Sequence, residues 1–365
     1  MKAQGVSIIV CCYNSANRLP ETICHIACQR VPSYIPWELI IVDNGSTDDS
    51  AAVARREWKR NCGKAPLEIV NEPVPGLSYA RAKGFRQARY EYMIMCDDDN
   101  WLDNNYVTRA WELMLEKNNI GALGGLGKLH FEVDPPIPEL SFIFAAGAQA
   151  PHSGKVVENK VFGAGCVIRH AAYQKLLESG FKSLLTDRRG RELSSGGDYE
   201  LCLALAIMGY DIWYDDRLNF THFITRERLV WKYYLQFAYE SSKGFNVISS
   251  YKLVAAKTRF SRLPRLVLLR NFLVCLKIFV SINMKRLFTT RSALQKPLYF
   301  RHLIYKYKLV SYLLKFNEMV KTHRLILNFQ RSCNPPGEIL QPEAGKDFLR
   351  WPKLSFFSKP SRLLR

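Results

Sequence analysis

Along the first hundred residues, short unbroken apolar runs alternate with segments whose apolar positions recur every three or four residues. Val6–Cys12 reads as a buried strand that stops at the turn Tyr13-Asn14-Ser15, and Leu19–Gln29 follows at helical spacing. The unit recurs. Trp37–Val42 ends at Asp43–Asp48, where Ser46 or Thr47 is placed to cap a helix running to about Arg60. Leu67–Asn71 leads through Pro73–Gly76 into a helix over about 77–89, and Tyr92–Cys96 is a fourth apolar run, closed by Asp97-Asp98-Asp99-Asn100. A run without polar alternation is buried on both faces, so this pattern predicts an α/β fold with a mainly parallel sheet flanked by helices. In such sheets ligands gather beyond the carboxyl ends of the strands. Tyr13-Asn14, Asp43–Asp48 and Asp97–Asp99 all fall there, which predicts one shared site.

The pattern then loosens. Ile120–Lys128 reads as a further strand, Asp134–Pro138 as a loop, Phe162–Gly165 as a Gly-rich stretch and Ala171–Gly180 as a helix with a glycine stop. Ser194–Gly197 opens a helix over 198–208, followed by the strand-like Tyr210–Tyr214 and Phe220–His222. A first domain is expected to close near residue 225, with a basic, mostly helical region over 226–333 and a partly disordered basic tail over 334–365.

Charge separates these parts. Residues 1–223 carry 24 Lys and Arg against 27 Asp and Glu, a net of −3, whereas 224–365 carry 28 against 6, a net of +22. A one-sided basic block suits a polyanionic partner, either an anionic membrane surface or nucleic acid. Leu266–Ile282 is the most apolar stretch but contains Arg270 and Lys277, and Tyr299–Phe316 mixes apolar residues with Arg301, Lys306, Lys308 and Lys315. Both suit helices lying in a membrane interface; amphipathic helices packed on the first domain, or true insertion, are the alternatives. At 48% hydrophobic and 23% charged, the 365-residue chain excludes disordered, collagenous and disulfide-stapled classes. Its ten cysteines form no CxxC pair and read as buried thiols in a reducing compartment, and no signal-peptide succession precedes Val6, so a cytoplasmic protein is expected.

Three adjacent carboxylates raise one another's pKa unless a cation neutralises them. Asp97-Asp98-Asp99 therefore reads as a divalent-metal site suited to Mn²⁺ or Mg²⁺, with a solvated acidic turn as the bland alternative. Asp43 is placed to accept from a base or ribose, or to cap a helix; Arg81, early in its helix after Gly76, is placed to face a carboxylate or phosphate. Asp198 reads as a general base presented from a flexible loop, or as a plain N-cap, and His222 as an imidazole ligand or a structural histidine.

Together these segments resemble glycosyltransferase family 2, the inverting nucleotide-sugar enzymes of GT-A fold. The resemblance covers about residues 5–225 and rests on Ser7–Asn14, Ile41–Asp48, Gly76–Gly84, Asp97–Asp99 and Gly197–Leu201, in the family's order. It implies that Tyr13, Asn14, Asp43, Arg81, Asp97 and Asp98 contact the nucleotide donor. Asp97, Asp99 and His222 would hold Mn²⁺ or Mg²⁺, and Gly163, Ala164 and Gly165 would flank the acceptor. Asp198 matches the catalytic base; because Gly197 stands where the family has Glu, Glu200 is expected to share that role. The implied partners are a nucleotide-sugar donor and a glycan or lipid-linked acceptor, at the inner face of a membrane. A sugar-phosphate nucleotidyltransferase would want a Gly-rich phosphate loop where Tyr13–Arg18 stands. A nucleic-acid-binding protein would leave the acidic clusters without a purpose, so nucleic acid is not expected as a partner.

Overall fold

The computed structural model describes residues 2–188, 193–255, 263–290 and 292–333; the tail expected over 334–365 lies outside the described residues. Four strands run parallel in the order β3-β2-β1-β4: β1 (Ala3–Cys12), β2 (Trp37–Asp43), β3 (Leu67–Asn71) and β4 (Tyr90–Asp97). The helices α1 (Leu19–Ala27), α2 (Ser50–Arg60) and α3 (Leu77–Gln87) connect them. Ile8, Ile40 and Ile94 in the central strands are fully buried, as an apolar run covered on both faces requires.

Beyond β4 the sheet changes character. The next elements are β5 (Asn100–Leu102), α4 (Tyr106–Glu116), β6 (Ile120–Phe131), β7 (Gly154–Lys155), β8 (Val167–Arg169), α5 (His170–Glu178), α6 (Gly197–Ile207) and β9 (Asp211–Ile224). The order continues β8-β6-β9-β5, with β7 also on β9. β8 is antiparallel to β4 and β6, β6 is parallel to β9, and β5 is antiparallel to β9. The sheet is therefore mixed, with its expected parallel character confined to the first four strands and the β6–β9 pair. Apolar runs report burial and carry no information on strand direction. The Pro-rich loop expected over 134–138 leads directly into a 3₁₀ turn at Pro138–Ile143.

Five helices follow: α7 (Trp231–Lys243), α8 (Phe245–Ala255), α9 (Pro264–Phe288), α10 (Ser292–Leu314) and α11 (Phe316–Cys333). Val247, Ile248 and Val254 of α8 and Ile326 of α11 share one core with Ile9 and Ile40 of the sheet and Leu201 of α6. Phe300 and Ile304 of α10 join Tyr234 of α7, Phe144 and Ile224 in a second. Among the described residues, α9 alone is long and apolar enough to cross a membrane, with a mean hydropathy of 1.8 over its best window. It buries Val267, Leu268, Asn271, Cys275 and Ile282 against the protein. Its opposite face leaves Leu266, Leu269, Leu273, Leu276, Val280, Met284 and Leu287 exposed, at spacings of three and four.

Candidate active site

Strand register builds the rim. Cys12 pairs with Asp43 across β1–β2 and Cys11 with Asp97 across β1–β4, so the two aspartates stand one residue apart in register at the carboxyl end of the sheet. There a cleft of about 640 Å³ opens, lined by Tyr13, Asn44, Arg81, Asp97, Asp98, Asp99, Gly163, Ala164, Asp198 and His222 among others, within the ~300–1,000 Å³ usual for small-molecule sites. Tyr13 presents its ring at 46% exposure. Asn14, in the left-handed region at φ 48°, works behind the cleft wall. Its amide oxygen accepts from Thr47 N at 2.8 Å and its own N–H donates to Ser46 Oγ at 3.0 Å, which clamps the two strand-end loops together. The Asp43 carboxylate accepts from Ser46 N at 3.0 Å, and its neighbour Asn44 lines the cleft. Asn44 ties the next loop down by accepting from Gly76 N and donating to Glu72 O and Val74 O.

The acidic triplet divides its work. Asp98 turns back to Arg18, 2.7 Å away, and to the Ser15 hydroxyl; burial pushes its carboxyl up against the pull of Arg18. Asp97 is at the rim, 3.8 Å from Arg81 Nη2. Asp99 is buried, 2.8 Å from Arg228 Nη1 and 3.5 Å from His222 Nε2. Burial raises its carboxyl, but His222 and Arg228 outweigh burial and hold it below the ordinary carboxylate range. The β5–β9 pairing sets this arrangement, because Asn100 lies opposite His222 and Phe223 N donates to Asp99 O at 2.9 Å. Among the described residues no group of three His, Cys, Asp or Glu side chains is gathered as a ready metal site. Asp99 and His222 nevertheless supply the oxygen and imidazole donors that suit Mn²⁺ or Mg²⁺, and the guanidinium lodged against both marks a place where positive charge is already held.

Asp198 faces the same cleft from the first turn of α6. Its Oδ2 accepts from Gly163 N at 2.7 Å and its Oδ1 from Tyr199 N at 2.8 Å. A Cβ on Gly163 would sit 3.1 Å from both Asp198 Cβ and Arg81 Nη2, so glycine there is what lets the loop close on the carboxylate. Ala164 also lines the cleft. Gly165 lies one step behind it at φ 68°, with its carbonyl accepting from Tyr106 Oη at 2.5 Å. Burial, reinforced by the nearby Asp187, raises the Asp198 carboxyl to about 6 against the opposing pull of Arg81. Glu200 does not join it. Fully buried, its carboxylate accepts from Ser183 Oγ, Leu184 N and Leu185 N at 2.7–3.0 Å and holds the preceding loop in place.

Arg81 links the rim to Asp198. Its Nη1 donates to Asp187 at 2.9 Å, and Asp187 Oδ1 accepts from Gly197 N at 2.7 Å, one residue before Asp198. Sequence reasoning misses Asp187, Arg18 and Arg228. Arg228 in particular lies beyond the strand-end clusters, yet its buried guanidinium reaches Asp99 across Phe144 and Tyr233.

Residues 7–139 match the sequence model described as Glycosyl transferase family 2. Over this segment the chain is similar to that family. A poly-beta-1,6-N-acetyl-D-glucosamine synthase of Staphylococcus epidermidis is 27% identical over 124 residues, 34% of this chain and 29% of that protein. A cholesterol galactosyltransferase of Borreliella burgdorferi is 31% identical over 102 residues, 28% of this chain and 27% of that protein. The chain thus spans under a third of the length of these relatives. Two solved structures share the fold: the mannosyltransferase PcManGT of Pyrobaculum calidifontis in complex with GDP-Man and Mn²⁺ (TM-score 0.55, 16% identity, 86% of this chain and 88% of that one), and S. aureus TarS 1-349 in complex with UDP-GlcNAc (TM-score 0.51, 15% identity, 90% of each). The family 2 segment supplies β1–β4 and the acidic triplet, the fold is GT-A, and Asp198, His222 and Arg228 come from the chain beyond residue 139.

Proposed function

We propose that the protein is an inverting glycosyltransferase that moves a sugar from a nucleotide diphosphate, UDP by preference, to a hydroxyl of a glycan or lipid-linked glycan in surface-polysaccharide synthesis. One observation carries this reading: Asp198, a half-buried carboxyl raised to about 6, opens into the same cleft as the acidic rim and is joined to it through Arg81 and Asp187. A carboxylate with that pKa is ionised at neutral pH yet basic enough to take a hydroxyl proton as the bond forms. The acceptor oxygen attacks the anomeric carbon as Asp198 receives its proton, while the bond from that carbon to the diphosphate breaks on the opposite face and the configuration inverts.

The remaining residues bind and orient. Tyr13 and the Asp43-Asn44 loop receive the nucleoside, and Arg81 and Arg228 face the diphosphate with fixed positive charge. Asp99 and His222, with Asp97 at the rim, would hold Mn²⁺ or Mg²⁺, which when bound supplies charge against the leaving diphosphate. Gly163 and Ala164 flank the acceptor hydroxyl, and Glu200 keeps the loop before α6 in shape. The exposed apolar stripe of α9, on a region whose net charge is +22 after residue 223, supports a peripheral site at the inner face of a membrane.

Thermal shift of the full chain with UDP-, GDP- and dTDP-sugars, each with and without Mn²⁺, tests the reading. A donor that binds the folded state raises Tm by mass action. No rise with any nucleotide sugar would overturn the assignment.

A further inference from the structure

Gly197 opens α6 one residue before Asp198 and carries no side chain. The space this leaves is filled from another part of the chain. A Cβ on Gly197 would lie 2.3 Å from Asp187 Oδ2 and 2.7 Å from its Cγ, so the Asp187 carboxylate stands where a side chain at 197 would begin. It is held from two sides: its Oδ1 accepts from Gly197 N at 2.7 Å and its Oδ2 from Arg81 Nη1 at 2.9 Å. Asp187 is 4% exposed and left-handed at φ 53°, a conformation that costs a non-glycine residue and persists where surrounding contacts hold it. Few other charges reach Asp198. Tyr199 beside it, pushed well above its ordinary value by burial, stays neutral wherever a carboxylate titrates. So does Cys166 behind the Gly163 loop, pushed up by its contact with Cys202 and by burial. Lys160 lies 4.8 Å over the Tyr199 ring and is paired with Glu158 at 3.1 Å. Among the described residues, the fixed charges acting on Asp198 are therefore the Asp187 carboxylate and the Arg81 guanidinium.

We propose that Asp187 is a positioning residue for the base: it anchors the start of α6 and the Arg81 guanidinium, so that Asp198 meets the acceptor hydroxyl beside a second, fixed negative charge. The inference rests on the glycosyltransferase reading and deepens it, because Asp187 acts through Asp198 and lies beyond the matched family 2 segment. A like charge held beside a carboxyl makes it more basic, and a cation makes it less so. Asp187 does both parts of this, adding its own charge and engaging the guanidinium that would otherwise pull Asp198 down.

Titration of Asp198 in the full chain tests it, by NMR of protein labelled with carbon-13 at the aspartate carboxyls and with the Asp198 signal assigned by its loss in Asp198→Asn. The native midpoint is expected near pH 6. Asp187→Asn keeps the shape and removes the charge, and is expected to lower the midpoint by about one pH unit, a roughly tenfold loss of proton affinity. Asp187→Glu keeps the charge and should recover at least half of that change. Gly197→Ala puts a methyl group against the Asp187 carboxylate and should lower the midpoint in the same direction by displacing it. With the nucleotide sugar that thermal shift identifies as donor, the acidic limb of the rate should move with the NMR midpoint, which a merely structural role would not cause. An unchanged midpoint in folded Asp187→Asn overturns the proposal, as does a fall in Asp187→Glu as large as in Asp187→Asn. Should Asp187→Asn fail to fold, an unchanged midpoint in Gly197→Ala overturns it instead. The titration needs no donor, so the absence of a thermal shift with every nucleotide sugar would overturn the glycosyltransferase reading separately.

Discussion

On the sheet side of the cleft, backbone register places Asp97 at the end of β4, one residue out of step with Asp43 on β2, and Asp99 follows in the turn after it. On the helical side, Arg228 and Lys308 reach in as long side chains from elements outside the sheet. The sheet side gathers negative charge in a rigid lattice of hydrogen bonds, and the helical side answers with cations held against aromatic faces. On the proposed function, fixed backbone suits a donor and its diphosphate, whereas a wall of packed helices can vary with an acceptor while the rim stays unchanged.

Removing the group that works where the two sides meet should have the largest effect. Asp198→Asn keeps the side-chain shape and an acceptor for one of the two N–H groups, Gly163 or Tyr199, that the carboxylate serves, and it is expected to bind the donor normally while turnover falls by at least ~10². In the native protein the rate should fall with unit slope below about pH 6, since Asp198 must be ionised to act and its carboxyl is raised to about 6. The sign for stability is opposite. A carboxyl raised on folding disfavours its charged form, so the native fold loses stability as pH rises from the unfolded value toward 6. Asp198→Asn relieves this cost at pH 7 but gives up one of the two backbone hydrogen bonds, worth about 1 kcal/mol, so its Tm should stay within a few degrees of the native value. Near-native turnover in the variant would remove Asp198 from the base role.

The same residue shows how far the sequence is legible. Asp43, Asp97–Asp99 and Asp198 can be read because each follows a local signal, an apolar run or a Gly-Gly break, that fixes its place at a strand or helix end. Glu200 misleads because two residues along a helix is about 200° of rotation, so a cleft-facing Asp198 drives Glu200 into the core. β5 and β8 are three residues long, too short for a period to show. Arg228 follows no pattern at all. What brings it to Asp99 is the β5–β9 pairing and the turn at Arg226–Leu229, both products of tertiary packing.

Arg228→Ala sharpens the comparison by taking the helical side's cation away from the rim. Asp99 and His222 then lie buried without it, and breaking a buried pair of this kind costs about 3 kcal/mol. The expected result is a Tm lowered by several degrees without divalent ion, recovered in large part by Mn²⁺, and a larger Mn²⁺-induced rise than in the native protein. A drop in Tm that Mn²⁺ leaves untouched would show that Asp99 and His222 do not hold a divalent ion.

The smallest expected effect concerns the outer face of the helical side. Leu273 is 54% exposed in the middle of the apolar stripe of α9, while Cys275, two positions on, is buried against the protein. Leu273→Glu therefore changes the surface and leaves the core intact, and its Tm should match the native value. If the stripe lies in a membrane interface, one leucine side chain withdrawn from lipid forfeits about 1.5 kcal/mol, and a carboxylate facing anionic head groups adds to the loss. Partition onto anionic vesicles in a sedimentation assay is then expected to fall roughly tenfold, that being 1.4 kcal/mol. Asp198→Asn should partition as the native protein does. Should Leu273→Glu partition unchanged, the stripe is not the membrane contact, and the basic residues after 224 would have to act without it.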